Sequence, residues 1–425
     1  MKRYPMKIKA PSILDYKGMQ AVRRAIAYLG PGFFVTVGFI DPGNWATNLA
    51  AGSQYNYRLL WVVLLSSLIL VLWQHMTAHL GIVTGKCLAE AIHAYTRQKL
   101  AFIYGTSAMA AMIATALAEI LGAAIGINIL FGIPIKIGSF IAAGVIILVV
   151  WFEKYGLIEK IVVGFVSLIG LCYLVELYIV KPDWGLAVTG TFIPDLDSKS
   201  LLVAIGVIGA VVMPHNIYLH SEVIQSRNWS GKSEKETRHL LRYEFLDTLI
   251  AITVGMAINA AMVIVAASVF FRNSISVTDL AQASETLKPL VGNLASTLFG
   301  IALLFAGFSS SMTAGIAGGT TFSGYLGKET VLESRWFKAG MLITICPACL
   351  IILFIVNTYQ ALIISQVCLS IQLPLTMLPL FLITNNRNIM KQYVNGLLEN
   401  SLMVLSGIFI LALNGLLVYN LVRGI

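Results

Sequence analysis

Two short polar stretches interrupt apolar segments of this sequence, and each combines a proline with side chains that can bind ions. They are Asp41-Pro42-Gly43-Asn44 and Met213-Pro214-His215-Asn216. Proline removes an amide donor and clashes with the carbonyl four residues earlier, so each stretch should break its helix. Because lipid offers no replacement hydrogen-bond partner, such breaks survive only inside protein or beside a water-filled cavity. We therefore expect a buried functional site where the two breaks meet.

The residue types at the breaks favour a transition-metal ion. The Asp41 carboxylate and the Asn44 amide oxygen suit divalent cations in general, whereas the soft Met213 thioether suits Mn²⁺ and Fe²⁺ better than Mg²⁺ or Ca²⁺. Unwound backbone can add carbonyl ligands, for which Gly38 and Ala210 are the candidates. The alternatives are a core methionine at Met213 and a helix cap at Asp41.

The elements that hold these stretches are membrane helices. The 425 residues are 58% hydrophobic and 12% charged, with a mean hydropathy of +0.83. This composition excludes a soluble domain and predicts an all-α polytopic membrane protein. The net charge of +9 does not indicate nucleic-acid binding, because the basic residues lie in short loops between apolar segments.

Eleven apolar segments are present, and most reach the roughly 20 residues that a membrane helix needs. They are Ala25–Ala51, Leu59–Leu80, Ala101–Phe131, Ile137–Trp151, Ile161–Val180, Leu201–Val223, Phe245–Phe271, Leu294–Gly324, Ala339–Val356, Ala361–Ile383 and Leu402–Val422. Most of the 29 Lys and Arg residues fall on the same side as the N-terminus. This bias predicts a multi-pass protein of the cell membrane, with the N-terminus in the cytoplasm and the C-terminus outside.

The order of the segments predicts an internal repeat. Residues 25–180 and 201–383 each hold five segments, and the first segment of each half carries a break. Because five is odd, the two halves must have opposite orientations in the membrane, as in transporters that work by alternating access. Residues 1–24 would be a cytoplasmic segment, 181–200 an extracellular loop, and 384–425 an eleventh helix outside the repeat.

Four stretches resemble signature motifs of the Nramp (natural resistance-associated macrophage protein) family, and the resemblance runs from about Pro31 to about Asn386. They are Asp41-Pro42-Gly43-Asn44 with Ala46-Thr47-Asn48, Gly209 to Asn216 with Tyr218-Leu219-His220-Ser221, Leu80 to Lys86, and Ser365-Gln366-Val367. The resemblance implies a LeuT-type fold with the first and sixth helices unwound at the midplane. It also implies import of Mn²⁺ or Fe²⁺, usually coupled to protons.

The same resemblance implies roles for individual residues. Asp41, Asn44 and Met213 match the family's metal-binding side chains, Gly38 and Ala210 match its carbonyl ligands, and Gln366 matches a glutamine that joins in occluded states. A proton route is implied at Asp41, Glu119, His215 and His220. Two further histidines, His75 and His79, are expected at the membrane interface.

The sequence departs from the family at positions that concern protons. Ala116 stands where many members have an aspartate, and the segment Ala339–Val356 lacks the arginine that proton-coupled members usually have. Phe308 and Gly319 stand where glutamines are common. We therefore expect proton coupling to be weak or to follow an unconventional route.

Two other classes of function remain as alternatives. A LeuT-type transporter of amino acids or organic cations would use the helix ends to hold a carboxylate, which Asp41 would repel. A membrane-embedded metallohydrolase would need several His or carboxylate ligands, and these are scattered here. We expect no enzyme activity and no bound cofactor. The expected partners are the transported metal ion and the lipid bilayer.

Overall fold

The structure is a computed structural model that describes residues 35, 41–152, 164, 167, 170–171, 173–275, 277–281, 283–284 and 293–423. Its helices are α1 Pro42–Tyr55, α2 Leu60–Thr84, α3 Leu88–Tyr95, α4 Gln98–Phe131, α5 Ile135–Phe152, α6 Trp184–Phe192, α7 Leu201–Val212, α8 Pro214–Ser226, α9 Glu234–Ala266, α10 Asn293–Tyr325, α11 Arg335–Ile352, α12 Thr358–Thr384, α13 Arg387–Met390 and α14 Leu397–Arg423. A π-helical turn, Ala267–Phe271, extends α9, and a 3₁₀ turn, Lys391–Tyr393, follows α13.

The described residues contain nine helices long and apolar enough to cross a membrane. They are α2, α4, α5, α7 continued by α8, α9 with its π turn, α10, α11, α12 and α14. These match nine of the eleven predicted segments. The first predicted segment is described from residue 41 as α1, and the fifth is described in part, with residues 173–180 helical. The predicted all-α membrane architecture is therefore confirmed, whereas the orientation of the termini stays a prediction.

Helix boundaries differ from the sequence prediction where capping outweighs hydrophobicity. The helix α9 begins eleven residues before the apolar segment Phe245–Phe271, because Ser233 and Glu236 form a reciprocal capping box there. The predicted loop 181–200 contains the nine-residue helix α6, which Asp183 caps by accepting a hydrogen bond from the Leu186 amide. With nine residues, this helix is too short to cross a membrane.

Corresponding helices of the two predicted halves pack against each other. Contacts join α1 with α7, α2 with α9, α4 with α10, and α5 with α11. These are the first to fourth spans of each half in turn. Such pairing agrees with two halves related by a two-fold axis in the membrane plane.

Charged side chains join the start of α2 to the segment before α7. The Arg58 guanidinium makes two hydrogen bonds to Asp195, at 2.6 and 2.8 Å, and a third to Asp197 at 3.2 Å. Hydrogen bonds from Ser200, together with Arg58, lower the pKa of Asp197 to about 2. The segment before α7 is thus held to the start of α2 at any pH above the acid range.

Glycine permits the closest crossing near the second break. A Cβ on Gly209 of α7 would overlap the backbone carbonyl oxygen of Gln366 and lie 2.9 Å from the Ser370 amide nitrogen of α12. Small residues allow this kind of backbone approach between membrane helices. The position of α12 beside the break therefore depends on Gly209.

Replacing Gly209 by alanine should force α7 and α12 apart. We expect Gly209→Ala to lower the free energy of unfolding by about 1–3 kcal/mol, the usual cost of overpacking. Gly144→Ala is the matched control, because nothing lies within 4 Å of a Cβ at that position. Thermal unfolding of the two purified variants in detergent measures the difference. Equal melting temperatures would contradict the close crossing.

Candidate metal site

The first break places a carboxylate at a helix start. Asp41 precedes α1 in extended backbone, and its side chain accepts hydrogen bonds from the amides of Asn44 at 2.8 Å and Gly43 at 3.2 Å. Pro42 occupies the first helical position, where its missing N–H costs nothing. Asp41 is therefore a helix cap as well as a candidate ligand, and its side chain is 0% exposed.

The second break lies between α7 and α8. Met213 leaves the helical conformation, with ψ at 122°, and Pro214 begins the next helix. The last four carbonyls of a helix lack partners within it. One of them, the carbonyl of Ala210, accepts a hydrogen bond of 2.7 Å from Nδ2 of Asn44. This bond joins the two breaks directly.

The Met213 side chain is fully buried at the second break. Its sulfur accepts a weak hydrogen bond from Nδ2 of Asn216 at 3.6 Å, one turn into α8. Met213 lies three residues after Ala210, so the thioether directly follows the last turn of α7, which holds the bonded carbonyl.

Gln366 of α12 lies against the first break. A Cβ on Gly43 would overlap the Gln366 side-chain amide and lie 2.9 Å from Oδ2 of Asp41. The Gln366 amide nitrogen also donates to the Ser365 hydroxyl at 3.2 Å, and Gln366 is 0% exposed. The structure thus brings Asp41, Asn44, the Ala210 carbonyl and Gln366 together around the two breaks. Gly38 lies outside the described residues.

A second group of predicted residues adjoins the first break. Oε1 of Glu119 on α4 lies 3.8 Å from Nε2 of His215 on α8, and both side chains are fully buried. His215 also lies 3.4 Å from the Thr115 hydroxyl, and Glu119 interacts electrostatically with Asp41. Pro42 packs against Gly122, one turn after Glu119, and this contact holds α4 at the start of α1.

The fourth predicted proton-route residue, His220, lies apart from this group. Its Nε2 is 3.7 Å from Oε1 of Glu244 on α9, whose other oxygen contacts Nδ1 of His75 at 2.6 Å. His79 is 7% exposed, and its ring stacks on His75. The two histidines are therefore packed beneath α9 and α8, and the expectation that they lie near the membrane interface stays a prediction.

Glu244 was missed in the sequence because it directly precedes the apolar segment that begins at Phe245. The signal that could have found it is the capping box at Ser233 and Glu236, which places Glu244 in the third turn of a helix. From there its side chain can reach into the protein, where it is 1% exposed.

The structure shows the surroundings of residues at positions where the sequence departs from the family pattern. Ala116 is buried on α4. Gly319 lets the Phe337 ring approach, since a Cβ there would lie 2.6 Å from the ring. The helix α11 does contain an arginine, Arg335, but only as its exposed first residue, beside the Trp336 ring.

Among the described residues, no three His, Cys, Asp or Glu side chains are arranged to hold a metal ion. The donors predicted at the two breaks are instead a mixed set of one carboxylate, amide oxygens, a thioether and backbone carbonyls, and this ligand set stays a prediction.

Comparisons with known proteins agree with this geometry. Residues 32–420 match the family model described as natural resistance-associated macrophage protein-like, Nramp. A relative from Caldanaerobacter subterraneus subsp. tengcongensis, named divalent metal cation transporter MntH, is 42% identical, and the match covers 96% of each chain.

Solved structures extend the comparison to the fold. The chain is similar to the Eremococcus coleocola manganese transporter, with a TM-score of 0.81 and 28% identity over 96% of this chain and 90% of that one. A closed conformation of the nucleobase-cation-symport-1 transporter MHP1 matches with a TM-score of 0.60 and 14% identity, over 91% of both chains. These matches confirm the expected LeuT-type fold. On the sequence match over nearly its whole length, the chain belongs to the Nramp family.

Proposed function

We propose that this protein imports divalent transition-metal ions, such as Mn²⁺ and Fe²⁺, across the cell membrane by alternating access. The observation that carries the proposal is the contact of the two helix breaks through Asn44 and the Ala210 carbonyl, with Asp41 and Gln366 beside them. A relative of 42% identity is named a divalent metal cation transporter, and a similar structure is a manganese transporter.

The donor set explains the preference for a transition metal. Asp41 supplies the negative charge that a buried dication needs, and the amide and carbonyl oxygens replace part of its hydration shell. The Met213 sulfur adds a ligand that contributes little to binding of Mg²⁺ or Ca²⁺. With Gly38 as a further carbonyl candidate, the set mixes hard and soft donors.

The helices that end or begin at the two breaks are also the elements that can move during transport. Helical geometry is interrupted at Met213, between α7 and α8, and α1 begins from extended backbone at Asp41. Helices that end or begin at such breaks can move while the site stays near the midplane. The ion could then be reached from one side of the membrane at a time. The positive-inside bias of the sequence supports a cytoplasmic N-terminus and an external C-terminus.

An amino-acid or organic-cation transporter is the second candidate, favoured only by the general fold. The first half-helix start is already occupied by Asp41, which accepts the amides of Gly43 and Asn44. A substrate carboxylate would have to displace that cap and would meet its charge. The metal ion is therefore the better substrate.

Removing the carboxylate should abolish transport. We expect Asp41→Ala to reduce Mn²⁺ uptake into proteoliposomes to background, because Asp41 is the only carboxylate within the two break stretches themselves. Glu329→Ala, which removes an exposed carboxylate, is the control and should transport normally. Near-normal Mn²⁺ uptake by Asp41→Ala, at matched protein content, would refute the site.

Removing the thioether should change selectivity more than Mn²⁺ uptake. We expect Met213→Ala to lose discrimination against Ca²⁺ and Mg²⁺, because these ions forgo little when sulfur is absent. Competition of each ion with Mn²⁺ uptake measures the effect. Met256→Ala, at a partly buried methionine of α9, is the control. If Met213→Ala and the unchanged protein exclude Ca²⁺ equally, the sulfur is not the selective element.

Proton entry should accompany Mn²⁺ entry weakly. Ala116 and the absence of an arginine inside α11 leave Glu119 and His215 as a short route beside Asp41. Internal pH and Mn²⁺ influx are recorded together in proteoliposomes under an external acid load. We expect robust Mn²⁺ influx with little acidification. Stoichiometric proton entry that disappears in Glu119→Gln would instead show an intact conventional relay.

A further inference from the structure

Three ionisable side chains from three helices meet on the side of α8 away from the Glu119–His215 pair. They are His75 of α2, Glu244 of α9 and His220 of α8, called here the histidine–glutamate cluster. None of them touches the proposed metal ligands, and His220 lies two helical turns from Met213. The metal site therefore does not account for them.

Glu244 is the centre of the cluster. Its Oε2 is 2.6 Å from Nδ1 of His75, and its Oε1 accepts a hydrogen bond of 2.8 Å from the Thr248 hydroxyl. The carboxyl group is fully buried. A carboxylate in such a place needs a compensating positive charge or a proton.

His220 completes the cluster from the half-helix that carries the second break. Its Nε2 is 3.7 Å from Oε1 of Glu244, and it is fully buried. Neither ring nitrogen has a hydrogen-bond partner among the described residues. A small shift of α8 is enough to make or break a hydrogen bond between His220 and Glu244.

The charges of the cluster favour one bound proton. With both histidines neutral and Glu244 ionised, the cluster is a buried net negative charge; with both histidines protonated it is a buried net positive charge. One proton shared among the three groups leaves it neutral, and burial favours the neutral form. His79 and Glu399 also act on it, the first stacked on His75 and the second in the first turn of α14.

The cluster is less deeply buried at its His75 end. The His75 side chain is 17% exposed, whereas Glu244 and His220 are fully buried. Glu399, which acts electrostatically on His75, lies in the loop-to-helix start of α14 on the predicted cytoplasmic side. A proton arriving from that side would meet His75 first and could pass to Glu244 across a single hydrogen bond.

We infer that the histidine–glutamate cluster is a proton-binding site, loaded from the cytoplasm, whose proton holds α8 against α2 and α9. In the arrangement seen here α8 is also tied by the Ser221 hydroxyl to the Leu88 amide and by Gln225 to the Gly81 carbonyl. Because a ligand favours the state that binds it better, cytoplasmic protons should stabilise this packed position of α8. The functional consequence rests on the proposed transport, since movement of α8 is part of it.

The first test measures Mn²⁺ uptake into proteoliposomes at internal values between about pH 5 and 8, where imidazole titrates. The unchanged protein should transport several-fold more slowly at the acid end, within the limit of about tenfold per pH unit set by one proton. Glu244→Gln and His75→Gln should lose this dependence. Glu234→Gln and His239→Gln, on the same helix but outside the cluster, are the controls and should retain it.

A flat internal-pH profile of the unchanged protein, or a normal profile in His75→Gln, would overturn the inference. His75→Gln decides the outcome if Glu244→Gln does not fold, because His75 lies at the partly exposed edge. Asp41→Ala should lose uptake at every internal pH, which separates failure of the metal site from failure of the cluster.

The second test does not depend on transport. The chain has six histidines, so ¹⁵N-histidine labelling in nanodiscs gives a spectrum that single substitutions can assign. The signals of His75 and His220 should change together with pH in the unchanged protein, and each should shift in Glu244→Gln. Independent titration of the two histidines, unaffected by Glu244→Gln, would overturn the inference even if Mn²⁺ is not the substrate.

Discussion

The hydrogen bond from Asn44 to the Ala210 carbonyl is the contact on which the arrangement of this protein depends. It satisfies one of the carbonyls that the break before Met213 leaves without a helical partner. Lipid could not do so, and water would have to enter the middle of the protein. The two halves of the chain are thus joined where α1 begins and α7 ends, and a side chain of the first break satisfies the backbone of the second.

Close packing keeps other side chains out of this contact. Pro42 fits against Gly122 of α4, and the backbone of α12 crosses at Gly209, so Glu119 and Gln366 are both brought to the start of α1. Neither glycine could be replaced without moving a helix that carries a polar residue of the site. The small residues therefore determine the chemistry of the site although they have none of their own.

The sequence predicted the features that follow from hydrophobicity and from proline. The lengths of the apolar segments predicted the membrane helices. The proline-containing stretches that begin at Asp41 and Met213 predicted the two breaks, which lie at the centre of the molecule. It did not predict which side chains meet across helices. It gave no sign that Glu244 meets His75, because their burial comes from the packing of α2 against α8 and α9. Such tertiary contacts leave no periodic signal in a single sequence.

The ionisable groups of α8 lie on two sides of it. His215 faces Glu119 on α4, close to Asp41, whereas His220 faces Glu244 on α9 and, beyond it, His75 on α2. Five residues separate the two histidines, a rotation of roughly 140° around a helix of 3.6 residues per turn. A rigid α8 cannot approach one carboxylate without changing its distance to the other. Movement of this half-helix would therefore couple the proposed ion site to the histidine–glutamate cluster, even though no continuous chain of hydrogen bonds joins them among the described residues.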